Sequence, residues 1–384
     1  NAGAISIFTP SLTLDKGIVT TSASSNGNAG GITATVGTLT LTNAAEISSS
    51  STGAATGAAG SVTIQGLASP ANSVTLTNSS LRTSADSTGR GGSITVDATN
   101  VTLNGATISA SVKDVNAAEV TDGPTSGIDN IALSSSTLNM TGGTVTAATS
   151  GTRNAGTITL TTTGNTLNVG GGSITSSTSS SGNAGQILIT SPVLSLNNGT
   201  ITTSTSSSGN AGGITITTTG NMLSLANGSQ ISSATTGTVV TNPDGTTKVP
   251  GTAGTITITD SGSFTSDAST VATSAEANHS GDISITAHSV QLSNGTLITA
   301  NSKAPLEVTK LVLDANGQLD PKPQVVGDGN AGNITIHSGS NFVMENSKVT
   351  TEASDASGGQ IEIKAPEMVR LINSRISTSV AGFE

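Results

Sequence analysis

Asn210-Ala211-Gly212-Gly213-Ile214-Thr215-Ile216-Thr217-Thr218-Thr219-Gly220-Asn221-Met222-Leu223-Ser224-Leu225-Ala226-Asn227-Gly228-Ser229-Gln230-Ile231-Ser232-Ser233 holds three short alternations of apolar and polar residues, separated by small-residue corners. Ile214 and Ile216 alternate with Thr215 and Thr217, the period of a half-buried strand. Gly220-Asn221 breaks that run, Leu223 and Leu225 carry a second, and Asn227-Gly228 suits the left-handed backbone of a tight corner. A third begins at Ile231 and runs out through Ser and Thr towards the next corner.

The apolar residue that follows the small-residue corner recurs at Ile5, Ile32, Val62, Ile94, Ile131, Ile158, Ile187, Ile214, Ile256, Ile283, Ile334 and Ile361. Successive intervals are 27, 30, 32, 37, 27, 29, 27, 42, 27, 51 and 27 residues, so a floor of 27 is only ever added to. That describes a fixed module that tolerates insertions. No segment has the i, i+3, i+4 spacing of a capped amphipathic helix, and a propeller blade needs about 40 residues and four strands. The expected fold is all-β, a parallel β-helix of twelve coils of about 27 residues with three short strands each. Stacked at about 4.8 Å, the coils make a rod about 55–60 Å long. Residues 1–384 form one continuous domain in this reading. Because the sequence opens without Met, inside a repeat corner, it reads as a segment of a longer precursor.

Composition agrees. Only 33% of residues are apolar and 1% aromatic, which suits a thin core of stacked aliphatics rather than a globule. The formal net charge is −10, yet only 9% of residues are charged, and Asn154 to Pro243 contains no charged residue or histidine. A basic patch with interleaved aromatics is missing, so no nucleic-acid partner is expected. The absence of cysteine rules out disulfides and thiolate metal sites, and suits a chain that stays unfolded while crossing an oxidising compartment. No run of about 18 apolar residues exists, so no membrane-spanning segment is expected.

Two columns of asparagine mark the corners. Asn1, Asn28, Asn154, Asn183, Asn210 and Asn330 share the Asn-Ala-Gly position, where stacked copies are expected to hydrogen-bond to one another. Asn43, Asn78, Asn198, Asn227, Asn294, Asn346 and Asn373 form the second. Both are read as corner-turning residues rather than ligand contacts.

Three insertions, near 112–126, 235–250 and 301–328, fall before the Asn-Ala-Gly corner and are expected to protrude from one edge of the rod. The second reads as a β-hairpin around Asn242-Pro243-Asp244-Gly245, with Lys248 on its return strand. The third runs around Asp314-Ala315-Asn316-Gly317, with Lys322 between Pro321 and Pro323, which are expected to loosen the return strand. Protrusions on a regular scaffold are the natural places for recognition.

Catalysis on a β-helix needs carboxylates, or carboxylates with Arg or Lys, converging from neighbouring coils. The best cluster is Glu362, Lys364, Glu367 and Arg370, without aromatic platforms for a sugar ring, so the chain is read as no enzyme. His279, His288 and His337 are scattered, and the corners lack the Gly-Gly-x-Gly-x-Asp pattern of calcium rolls; no metal and no cofactor are expected. Thr-x-Thr pairs such as Thr33/Thr35 and Thr215/Thr217 suggest an ice-matching array, but Leu188, Ser284 and Glu362 interrupt it.

As a whole unit, small-Asn-Ala-Gly-x-Ile-x-Ile, Leu-x-Leu-x-Asn-Gly and x-x-Ile-Ser/Thr-Ser/Thr, the chain resembles filamentous haemagglutinin-family exoproteins, most of all the large repeat proteins of that type in cyanobacteria. The resemblance is tightest over Asn183–Ser233 and implies a right-handed β-helix, secreted through the outer membrane by a two-partner system, with a role in adhesion or surface coating. The expected partners are further copies or coils of itself and cell-surface glycans or other cells. The competing classes are a carbohydrate-active enzyme and a specific glycan or receptor binder acting through the inserted hairpins.

Overall fold

A computed structural model describes residues 1–52, 57–86, 89–113, 129–237, 239–241, 247–303, 306–313, 319–326, 329–354 and 356–381. Among these there is no helix, and the chain is a parallel β-helix. One sheet of 18 strands carries the first two strand segments of every coil, and a second sheet of 12 strands carries the third. The twelve apolar positions that define the repeat pair in one unbroken file, from Ile5↔Ile32 through Ile187↔Ile214 and Ile214↔Ile256 to Ile334↔Ile361. Insertions leave this register intact because all of the added length is accommodated at corners.

The coil differs from three separate strands. In Ile5–Asp15, Ile32–Thr42, Ile94–Asn104, Ile131–Thr141, Ile187–Asn197 and Ile214–Ala226 the first two segments run on as one strand. Burial alternates through Ile32–Val36, slips by one residue at Gly37 and Thr38, and resumes at Leu39, so the chain turns without leaving the ladder. Gly220-Asn221, expected to break the strand, instead sits in a local swelling where Thr218 and Met222 oppose Ser191 and Val193. The segments separate where extra residues occupy the bend, as between Ile158–Thr162 and Thr166–Gly170.

Ile214, Ile216, Leu223, Leu225 and Ile231 are fully buried, as are their equivalents in the inner coils. Each such side chain contributes about 1.5–3 kcal/mol relative to exposure. The end coils are less covered: Ile5, Leu12, Leu14, Val19, Ile361 and Ile363 are only partly buried, and Val369, Leu371, Ile376 and Val380 are exposed.

Candidate functional site

The corner columns are structural, and their chemistry is specific. Asn28, Asn154, Asn183 and Asn210 each offer Oδ1 to the backbone N–H at the equivalent corner of the next coil, at 2.8–2.9 Å, and Asn330 does so to Ser357 at 3.0 Å. The acceptor contacts backbone, so the next residue need not be Asn: Ala58 and Thr252 donate as well as Asn183 and Asn210 do. The expected side-chain ladder between asparagines is thus a side-chain-to-backbone ladder. At the second column Asn198, Asn227 and Asn294 have φ of 53°, 55° and 53°, and every coil has a left-handed residue there. Asn fills it in seven coils, Gly105, Gly142 and Gly171 in three, and Lys16 and Ala268 in the other two. Asn and Gly tolerate this region best, which explains their recurrence.

A third column escaped the sequence reading. In every coil before the last, the fourth residue of the third strand points inward, and where it is Ser or Thr its hydroxyl bonds to the corner glycines. Thr83 Oγ1 donates to the Gly92 carbonyl at 2.6 Å, and Thr203 donates likewise to Gly212. Ser233 Oγ donates to the Gly212 carbonyl at 3.0 Å and accepts the Gly254 N–H at 2.8 Å. Ser49 and Ser176 bridge glycines in the same way. Buried backbone groups must find partners, and here hydroxyls supply them from inside the rod.

One corner departs from the pattern. Asp129 stands where the other coils have Gly, is only 4% exposed, and takes its backbone hydrogen bond from Gly91. Burial raises its pKa to about 6, against the opposing pull of the Arg153 charge and the Gly91 hydrogen bond.

The inserted segments are hairpins where described. Val240–Thr241 pairs antiparallel with Thr247–Lys248, and Leu306–Leu313 with Leu319–Val326. Lys248 lies opposite Val240, and Lys322 opposite Lys310. Asn242, Asp244, Gly245, Asp314, Asn316 and Gly317 lie outside the described residues, as does most of 112–126. Pro321 and Pro323 do not interrupt the return strand; they pair with Leu311 and Thr309. Being two residues apart, they set their donor-free nitrogens on one edge, which suits the outer edge of a hairpin.

The candidate catalytic cluster is spread over the coil. Lys364 pairs with Glu362 on the first-strand face, with His337 Nε2 3.8 Å from the same carboxylate. The Lys364 hydrogen bond and charge, helped by His337, hold the Glu362 carboxyl below its usual range. Glu367 accepts from Asn341 at 3.2 Å near the bend, and Arg370 belongs to the second strand segment, Met368–Ile372. Among the described residues no three His, Cys, Asp or Glu are grouped to hold a metal, and no helix is long and apolar enough to cross a membrane.

A shallow groove of about 420 Å³ runs along the end of the 12-stranded sheet, from Val112 and Lys113 past Thr149 and Thr178 to Thr236, and a second hollow of about 380 Å³ lies over Asn139, Asn168, Ser195 and Asn197. No family model, curated protein or solved structure matches the chain. Its site is therefore read from geometry alone. In that geometry, the columns build the rod.

Proposed function

We propose that the chain is a non-enzymatic structural rod at the cell surface or in an extracellular fibre, secreted across the outer membrane and serving adhesion or coating. The observation that carries this reading is the unbroken register of twelve coils, in which almost every distinctive residue is spent on stacking. Supporting it, the outermost coils present Ile18, Val369, Leu371, Ile376 and Val380 to solvent, apolar positions that a further coil would cover. That coil belongs either to the same polypeptide or to a second copy. The resemblance to filamentous haemagglutinin-family exoproteins points the same way.

Antibody labelling and protease shaving of intact cells test the proposal. Labelling and cleavage before lysis support it, and signal that appears only after lysis overturns it. Electron microscopy of the purified protein adds a second readout: strings longer than about 55 Å, the length of twelve coils, support growth by end-on stacking.

A further inference from the structure

A fibre built from such rods has to join them, and one segment of the fold has an open place for a joining strand. Resting on the rod reading, we propose that two copies of the chain pair side by side through the free edge of Leu306–Leu313, the first strand of the longer hairpin.

Leu306–Leu313 and Leu319–Val326 form a two-stranded sheet, and among the described residues no other strand pairs with either. A hairpin of two strands is marginal in water, and a further strand is what such a unit lacks. Its two outer edges are unequal, and the prolines decide which is open. In an antiparallel ladder, opposed residues alternate between pairs that exchange both N–H···O bonds and pairs that exchange none. Thr309↔Pro323 and Leu311↔Pro321 cannot exchange both, because proline has no N–H. The bonds therefore run through Val308↔Gln324, Lys310↔Lys322 and Val312↔Asp320. That phase turns the backbone groups of Glu307, Thr309, Leu311 and Leu313 to the free side of the first strand, an N–H and a C=O about every 6.8 Å. On the free side of the return strand, Pro321 and Pro323 hold the matching positions and offer no donor. One edge is blocked at its centre and the other is complete.

A second copy is the strand that fits. An open edge is a template for an extended segment, and a two-fold pairing of identical edges consumes both at once. Only the proline edges then remain outside, so growth stops at a four-stranded sheet. Charge sets the direction: parallel pairing would bring Glu307 beside Glu307 and Lys310 beside Lys310, so the copies run antiparallel. Outward residues have to meet outward residues, so the two-fold passes through a residue and not between two. A two-fold at Lys310 sets the two lysines opposite each other. At Thr309 it sets Glu307 opposite Leu311 and Lys310 opposite Val308, with no like charges facing, and pairs residues 306–312 of both copies. Moving it to Val308 or Leu311 shortens the paired stretch to 306–310 or 309–313.

The chain has no cysteine, so an introduced thiol reports only on its own counterpart. Thr309→Cys in the whole chain should form a disulfide between copies under mild oxidation, since facing Cα atoms of an exchanging pair lie about 5.5 Å apart, within disulfide reach. Val325→Cys, on the blocked edge, should not. Sedimentation gives the second readout. The wild type should dimerise, and Thr309→Pro with Leu311→Pro, which removes donors from the open edge and none from the ladder, should raise the dimer dissociation constant about tenfold or more. Pro321→Thr with Pro323→Thr opens the second edge and should carry assembly beyond dimers. The cysteine variants leave the backbone intact, so they decide the matter if a proline variant loses the hairpin. A wild-type chain that sediments as a monomer, or a Thr309→Cys chain that cross-links no better than Val325→Cys, overturns the proposal. Binding of a synthetic Thr-Val repeat peptide to a chain that stays monomeric assigns the edge to a foreign strand and likewise overturns it. Strings that grow end to end without the Thr309→Cys cross-link refute the hairpin contact alone, whereas protein that cross-links but is absent from the surface of intact cells refutes the rod reading alone.

Discussion

Gly212 and Asp129 occupy the same corner position in different coils, two residues before the apolar anchor, and they solve the same problem differently. At Gly212 the backbones of neighbouring coils come so close that a Cβ would lie 2.0 Å from the Gly185 carbonyl oxygen. Nothing but hydrogen fits, and Thr203 and Ser233 reach in from the third strand to the Gly212 carbonyl. At Asp129 a carboxylate enters the corner instead, and the surroundings have changed with it. The third strand before it has Ala110, paired with Thr83 in the preceding coil and with Ala147 in the following one. Gly91 replaces the usual Ala one coil below, and a Cβ there would meet Asp129 Oδ1 at 2.1 Å. The glycine corner tolerates either a hydroxyl or alanine at the fourth position of the third strand, Ala147 before Gly156 and Ala300 before Gly332, whereas the carboxylate corner is matched by Gly91 in the coil below.

The largest effect is expected from putting a side chain into the glycine corner. Gly212→Val forces coils 185 and 212 apart at backbone, and a loss of about 4 kcal/mol or more is expected. Hydrogen exchange should show protection lost around the Gly185 and Gly254 corners before it is lost at either end, since a stacked array fails locally. Gly91→Ala tests the other version. It should cost about 2–3 kcal/mol in the wild-type chain and much less in an Asp129→Gly background, where the methyl has its usual room. Equal costs in both backgrounds would show that the two positions are not coupled.

Asp129 also makes the two corners differ with pH. Its folded pKa is raised from 3.8 to about 6, so the folded state holds the proton more tightly than the unfolded one. Stability therefore falls as pH rises from about 4 through 6 and then levels, with a penalty of about 3 kcal/mol above pH 6. Asp129→Gly should gain stability at pH 7.5 and lose this pH-dependent step. Denaturant melts at pH 4.5 and 7.5 measure both, and a step that persists in the variant would place its origin elsewhere.

Much of this was written in the sequence, but unevenly. All twelve anchors and the aliphatic columns were legible, because one period-2 pattern repeats at a fixed interval and burial enforces it. The left-handed corner was legible where Asn or Gly fills it; Lys16 and Ala268 carry no such signal, and the surrounding coil alone imposes their backbone. The inward hydroxyls were not. Ser233 points into the rod and Ser232 away from it, yet both read as wet strand residues, because alternation is visible only when one face is apolar. Asp129 was hidden beside an insertion, where a single carboxylate looks like loop.

Ser233→Ala and Asn210→Ala rank the two kinds of corner bond. Ser233 Oγ is buried and serves two glycines; the Gly212 carbonyl keeps Thr203 as a donor, but loss of Ser233 leaves the Gly254 N–H unpaired away from water and should cost about 1–3 kcal/mol. Asn210 is exposed and accepts a single N–H, from Thr252 at 2.9 Å. Water replaces that acceptor, and the cost should be about 0.5–1 kcal/mol. The corners at Ala58 and Thr252 already lack the Asn and remain in register, which supports the smaller figure. If melting shows Asn210→Ala to be as costly as Ser233→Ala, the corners are held chiefly from outside, and the buried hydroxyl column is secondary.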